Sequence, residues 1–149
     1  MSDKAKVVPF ASFDFAVSED KAVACDFFSI DDSPDMVNHP PHYKDASGIE
    51  CIEVTKHMQF CGGNCFKYLY RAGKKGSTVE DLKKAAWYAE RAWIMNEVVP
   101  YAAIEGIEKI AAYRTGNIQS AMHLISEYDW YRVEWFINEE VAMLGGSDD

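Results

Sequence analysis

Residues 63–76, GNCFKYLYRAGKKG, place Lys67, Arg71, Lys74 and Lys75 in one short stretch of a 149-residue chain whose formal charge is −9. Two functions fit such a cluster. It is a solvated face, or it holds an anion. On a helix at 100° per residue, Phe66, Leu69, Cys65 and Ala72 share one arc, which is the buried side. Lys67 and Arg71 lie opposite, with Asn64 near them. Lys74 extends the same line if the helix continues past Gly73. Tyr68 and Tyr70 flank it. A planar guanidinium beside ammonium groups suits phosphate recognition. Phosphoryl transfer needs positioning and charge stabilisation more than covalent help, and these cations supply both. The GKKGS segment is not a P-loop. That motif needs glycine five residues before its Gly-Lys pair, and Tyr68 stands there.

A second helical segment repeats the theme. Val79, Leu82, Ala86, Ala89 and Trp93 form its expected core stripe. Asp81, Lys84 and Tyr88 share the opposite face, with Arg91 beside them. Residues 63–91 carry a balance of +4 and the remainder of the chain −13. Upstream, VNHPPHYKDASG holds His39, His42 and Tyr43 on a strip that Pro40 and Pro41 keep extended.

The elements that must position these groups read as mainly α: a compact helical domain of five to six helices with an N-terminal β-hairpin. Alternating Phe13, Phe15 and Val17, then Val23, Cys25 and Phe27, predict the hairpin over 7–30. Helices are predicted at about 49–60, 65–72, 78–98, 101–114, 117–128 and 129–143. CGGN breaks the first from the second, with Asn64 as N-cap. Gly73 stops the second. Ser77 and Glu80 form a capping box for the third. The expected organisation is hairpin and linker at 1–36, the site-bearing core at 37–98, and C-terminal helices at 99–149 on that core or on a partner subunit. Trp130, Val133, Ile137 and Val141 give the last helix an apolar stripe. Trp130 and Tyr131 cannot share one face, nor can Trp135 and Phe136, so a homo-oligomer is expected.

Composition narrows the classes. No apolar run approaches the roughly 20 residues of a membrane span. The N-terminal residues lack a signal-peptide core, which points to the cytoplasm. The acidic balance argues against general duplex nucleic-acid binding, since Lys and Arg supply most of that affinity. The four cysteines, at 25, 51, 61 and 65, are expected to be reduced there. His57, Cys61 and Cys65, with His39 and His42, can be drawn as a zinc site. Gly62 and Gly63 interrupt the helix that would align them, and no CxxC is present. Buried thiols and a surface histidine are the expected reading, and no metal site is predicted.

The blocks VNHPPHY, GIECIE, FCGGNCFKYLYRAGKKG and EDLKKAAWYAERA resemble a small phage and prophage domain family of unknown function, over about residues 37–93. Its members include a coliphage early-gene deoxynucleoside monophosphate kinase. The resemblance implies phosphoryl transfer to a (deoxy)nucleoside monophosphate without a Walker motif, in the cytoplasm of an infected host. It implies a nucleoside triphosphate as donor; magnesium is possible. On this reading Lys67 and Arg71 hold the transferring phosphates, and Lys74 and Lys75 the phosphate tail. His42 is an acid/base or transient phosphate acceptor. His39 belongs to the binding set. Tyr43, Tyr68 or Tyr88 stacks on a base, Asn64 hydrogen-bonds it, and Asp81 orients Lys84 or magnesium. Glu53 stands where the family pattern has an Asp.

Two other functions remain. A nucleotide-binding module that modulates a host process needs the same cations and no acid/base group. An all-α pyrophosphohydrolase needs paired helical carboxylates. Glu105 with Glu108 and Glu139 with Glu140 supply acids, but Asp129 and Glu134 fall at unhelpful phases.

Overall fold

A computed structural model of the chain describes residue 33 and residues 35–145. The hairpin expected at 7–30 and the tail at 146–149 lie outside the described residues. Among the described residues a 3-10 turn, Pro41–Tyr43, precedes six α-helices: α1 Cys51–Thr55, α2 Phe60–Arg71, α3 Thr78–Ile94, α4 Tyr101–Ala111, α5 Gly116–Ser126 and α6 Trp130–Met143. All belong to one compact unit. The residues after 98 therefore share a core with those before it.

The apolar stripe of α2 dictates the centre of the packing. Cys65, Phe66, Leu69 and Tyr70 are fully buried, and burial of each large side chain contributes about 1.5–3 kcal/mol. Helix α3 lies along both α2 and α6, while α5 lies along α4 and α6. Its inner face is narrow: Leu82, Ala85, Ala86, Ala89 and Ala92 are buried. These alanines bring α3 close to its neighbours. Trp93, expected in this stripe, is instead half exposed and tilts against the Tyr131 ring at 5.8 Å. A Trp is too large for a seam built of alanine.

Helix ends follow backbone chemistry. Ser77 Oγ accepts the Glu80 N–H at 3.1 Å and starts α3. Gly73, at φ +88°, turns the chain out of α2 as its sequence position predicts. Helix α3 ends earlier than its sequence period suggests. Asn96 adopts φ 55°, the Asn96 N–H donates to the Trp93 carbonyl, and the Glu97 N–H donates to the Ala92 carbonyl. This reversal is a Schellman motif with Asn in the left-handed position. It throws Glu97 back under α2.

The start of α2 is the main departure from the sequence reading. Gly62 and Gly63 do not break a helix; they lie inside α2, which begins at Phe60. Asn64 is no N-cap. Its side-chain amide donates to the Phe60 carbonyl one turn back, at 2.8 Å. The capping group comes from elsewhere: the Glu97 carboxylate accepts the N–H groups of Cys61 at 3.0 Å and Gly62 at 2.6 Å. A buried anion at a helix N-terminus also complements the helix dipole. The Trp130 indole N–H donates to the Glu97 carbonyl at 2.8 Å, and its ring lies on Gly62. A Cβ built there would sit 2.8 Å from Trp130 Cη2. Gly62 is thus required by packing. The first expected helix likewise shrinks to α1, where Glu50 and Glu53 form a reciprocal capping box.

Candidate functional site

Helix α2 presents its outer ridge between α1 and α3. Tyr68 is the hub of the cationic group. Lys67 Nζ lies 4.5 Å from the Tyr68 ring centroid, the Arg71 guanidinium 5.3 Å, and Lys84 Nζ 5.5 Å. Tyr88 of α3 lies nearly parallel to Tyr68, with centroids 6.0 Å apart. Three cations around one phenol ring gain cation–π attraction. They also form a surface whose charge favours an anion.

The partners of these cations differ. Arg71 grips Asp81 with both sides of its fork, Nε at 3.1 Å and Nη2 at 2.9 Å. Asp81 is 1% exposed. That corrects its expected place on the outer face: Arg71 reaches across from α2 and covers it. Nor does Asp81 orient Lys84, which lies 3.8 Å from Glu80 instead. The Asp81 carboxylate, and then the Tyr43 hydroxyl, hold the Arg71 pKa above its ordinary value, with burial opposing. Arg71 is therefore a fixed fork, held by Asp81 and Tyr43. No carboxylate among the described residues pairs with Lys67.

Lys74 does not extend the ridge as a free cation. It lies 3.8 Å from Asp45 and over the Tyr70 ring at 4.7 Å. Asp45 is clamped by Arg114 Nη1 at 2.6 Å, and Arg114 Nη2 donates to the Tyr70 carbonyl at 3.2 Å. Burial pushes the Asp45 carboxyl pKa up, but hydrogen bonds from Ser47 and Arg114 outweigh it and the net shift is downward. Lys74 is lowered by burial and by Arg114. Lys75 is exposed.

His42 lies against Tyr43, centroids 4.4 Å apart. Burial, then the charges of Lys75 and Arg71, lower its pKa below the ordinary 6.5. Protonation of the imidazole is thus disfavoured, the direction a general base needs. His39 Nδ1 meets Glu50 Oε2 at 2.9 Å.

Two clefts meet at Lys67. The first, about 320 Å³, runs between the 39–43 strip and α1, with Val37, Pro40, Tyr43 and Ile52 as apolar walls. The second, about 240 Å³, lies over the first turns of α2 beside Phe60, Gly63 and Asn64. Thr55 and Lys67 line both. Burial pushes the Cys51 thiol in the first cleft up to about 12, while Lys67 pulls the other way. Lys67, Arg71, Lys84 and Tyr88, candidates from the sequence, gather around Tyr68, whereas Asp81 lies buried beneath Arg71. His42 lines neither cleft. Thr55, Phe60 and Glu97 were not foreseen. The Gly-Gly pair was the available signal for the second cleft.

Cys61 and Cys65 are buried thiols, raised by burial first and by Glu97 next. Among the described residues no group of three His, Cys, Asp or Glu is placed to hold a metal ion. The acids weighed for a hydrolase are dispersed. Glu105 meets Lys109, Glu108 meets His123, and Glu140 accepts from Asn117. No described helix is long and apolar enough to cross a membrane.

Against known proteins, residues 37–90 match the model of a family described as a protein of unknown function (DUF3310). Over 64 residues the chain is 42% identical to the Gene 1.7 protein of Enterobacteria phage T3, covering 36% of this chain and 39% of that protein. The chain thus spans about two fifths of the length of this curated relative. No solved structure matches. The family match contains the 39–43 strip, α1, α2 and most of α3, and so contains both clefts and the Tyr68 cluster. Both findings support a likeness to a phage domain of unknown function.

Proposed function

We propose that this protein is a phosphotransferase that moves a phosphoryl group to a (deoxy)nucleoside monophosphate. The observation that carries the reading is the position of Lys67. It has no carboxylate partner among the described residues, it lines an apolar cleft of about 320 Å³, and it stands one helical turn from the fixed fork of Arg71. A nucleoside in that cleft places its ring against Tyr43 and its phosphate at Lys67. Arg71 and Lys84 then neutralise charge as it spreads over the transferring group. His42, beside Tyr43 and with its pKa lowered, is the candidate proton acceptor. Because Lys67 and Arg71 act by charge and position, the chemistry resides in the nucleotides; a magnesium ion, if used, would be carried by their phosphates.

One observation favours a second reading. The charge of Arg71 is already balanced by buried Asp81, which suits a module that binds a nucleotide and does no chemistry.

The test is incubation of the protein with each deoxynucleoside monophosphate and a mixture of triphosphates, with and without magnesium, resolved by anion exchange. New diphosphate in the wild type and none with Lys67→Met supports the transferase. Saturable binding without product supports the module. Full turnover by Lys67→Met removes the cleft from the mechanism. Lys67 is a cleaner probe than Arg71, since Arg71→Ala leaves Asp81 buried and unpaired.

A further inference from the structure

We propose that the second cleft binds the donor nucleoside triphosphate, so that two nucleotides occupy the protein at once and meet at Lys67. The inference rests on the phosphotransferase reading and extends it to a second substrate site.

The argument begins at Gly63. A glycine inside a helix costs roughly 0.5–1 kcal/mol relative to alanine. Gly62 has a packing reason, the Trp130 ring. Gly63 has none: a Cβ built there would make ordinary contacts, 3.6 Å to Met58 Cβ and 3.8 Å to the Thr55 carbonyl. Its conformation is helical, with no positive φ to require glycine. What Gly63 does is floor the second cleft. The missing side chain leaves space there that the fold itself does not use.

The rim of this cleft suits a nucleotide. Phe60 is 72% exposed at its mouth, an apolar ring held in water at the start of α2, with its edge toward Tyr88 at 6.1 Å. Such a ring is a stacking platform for a base. Asn64 donates one amide hydrogen to Phe60 O and keeps its carbonyl oxygen for a base edge. From there Phe60, Gly63, Lys67 and Arg71 follow one ridge at spacings of three and four residues. Eleven residues of helix rise about 16 Å, enough to carry a base at one end and a phosphate tail at the other. The tail reaches Lys67, Arg71 and Lys84. The monophosphate enters the first cleft from the other side of Lys67.

In the step this arrangement allows, a phosphate oxygen of the monophosphate forms a bond to the donor's γ-phosphorus. The bond from that phosphorus to the β,γ-bridging oxygen breaks, and the electron pair leaves with the diphosphate. One triphosphate and one monophosphate give two diphosphates. No phosphorylated His42 intervenes.

Calorimetry of the whole chain with each deoxynucleoside monophosphate in turn and a β,γ-imido triphosphate analogue tests the proposal, together with initial rates at varied concentrations of both substrates. The expected result is two nucleotides per chain and intersecting double-reciprocal plots. Gly63→Leu loses the analogue and keeps the monophosphate, with unchanged circular dichroism. Phe60→Ala, which leaves the cleft floor intact, weakens the analogue at least about tenfold. One nucleotide per chain, parallel plots, or equal loss of both ligands in folded Gly63→Leu overturns the second site. In the parallel-plot case diphosphate is still made, and the phosphotransferase reading survives. Two bound nucleotides with no diphosphate do the opposite: the second site stands and the transferase reading fails.

Discussion

The adjacent glycines of α2 should respond to the same substitution with opposite sign. In Gly62→Ala the new methyl lands 2.8 Å from Trp130 Cη2, 3.0 Å from Cζ2 and 3.2 Å from the Glu97 carboxylate. The ring is poorly able to retreat. Trp130 is 2% exposed and its indole N–H is tied to the Glu97 carbonyl. Overpacking of this kind costs about 1–3 kcal/mol, and the rigid ring puts this case near the top of the range. The helix gain from replacing glycine returns about 1 kcal/mol. Gly62→Ala should therefore lose about 2 kcal/mol. Gly63→Ala meets only contacts of 3.6–3.9 Å, so it should gain about 0.5–1 kcal/mol. The two variants then differ by about 3 kcal/mol, or roughly 10 °C in Tm for a domain of this size. Thermal unfolding followed by circular dichroism at 222 nm, with urea titration as a check, gives the comparison. Equal shifts for the two variants, or a larger loss for Gly63→Ala, would refute the claim that only Gly62 is demanded by packing.

Three further outcomes are expected. Glu97→Gln keeps an acceptor for one of the two α2 N–H groups and turns an amide donor toward the other, so urea unfolding should show a loss of about 2–3 kcal/mol. Arg114→Ala removes the clamp on Asp45 and the bond to the Tyr70 carbonyl; about 2–3 kcal/mol of stability should go, measured the same way. Lys75→Met should raise the His42 pKa, followed by NMR titration of the imidazole, because Lys75 is among the charges that lower it. The sign for stability follows: with the folded pKa below 6.5, the unfolded chain holds the extra proton between the two values. The contribution is full above 6.5 and is lost as pH falls toward the folded value, and Lys75→Met should narrow that window.

The cationic ridge was legible because Lys67 and Arg71 are local in sequence and a helical wheel needs nothing else. So was the Gly73 stop, where conformation alone decides. The start of α2 was not. Gly-Gly reads as a break, and Asn64 as a cap, unless one knows that Glu97 arrives from the turn after α3 with a carboxylate and Trp130 arrives from α6 with a ring. Asp81 was misplaced for the same reason: a wheel assigns faces to one helix, whereas Arg71 crosses from another helix to bury it. Trp93 shows the converse error, a large apolar residue in phase with a stripe that alanines have made too shallow for it. The clefts were invisible because their walls depend on how the 37–43 strip, α1 and the start of α2 pack on one another, which a helical wheel does not give. Glu50 was overlooked as a cap because Ser, Thr, Asp and Asn are the usual residues there.

The Arg114 clamp has a consequence for where this protein can be cut. The stretch that resembles other proteins ends at residue 90, yet Asp45 and the Tyr70 carbonyl within it are held by a guanidinium 24 positions further on. Similarity therefore draws a border through an electrostatic joint. A fragment trimmed to that border would carry every cation of the ridge and still lack the guanidinium that holds Asp45, the carboxylate against which Lys74 of the basic loop rests. Transplanting the ridge to another scaffold would need a substitute for Arg114 as well as the motif itself.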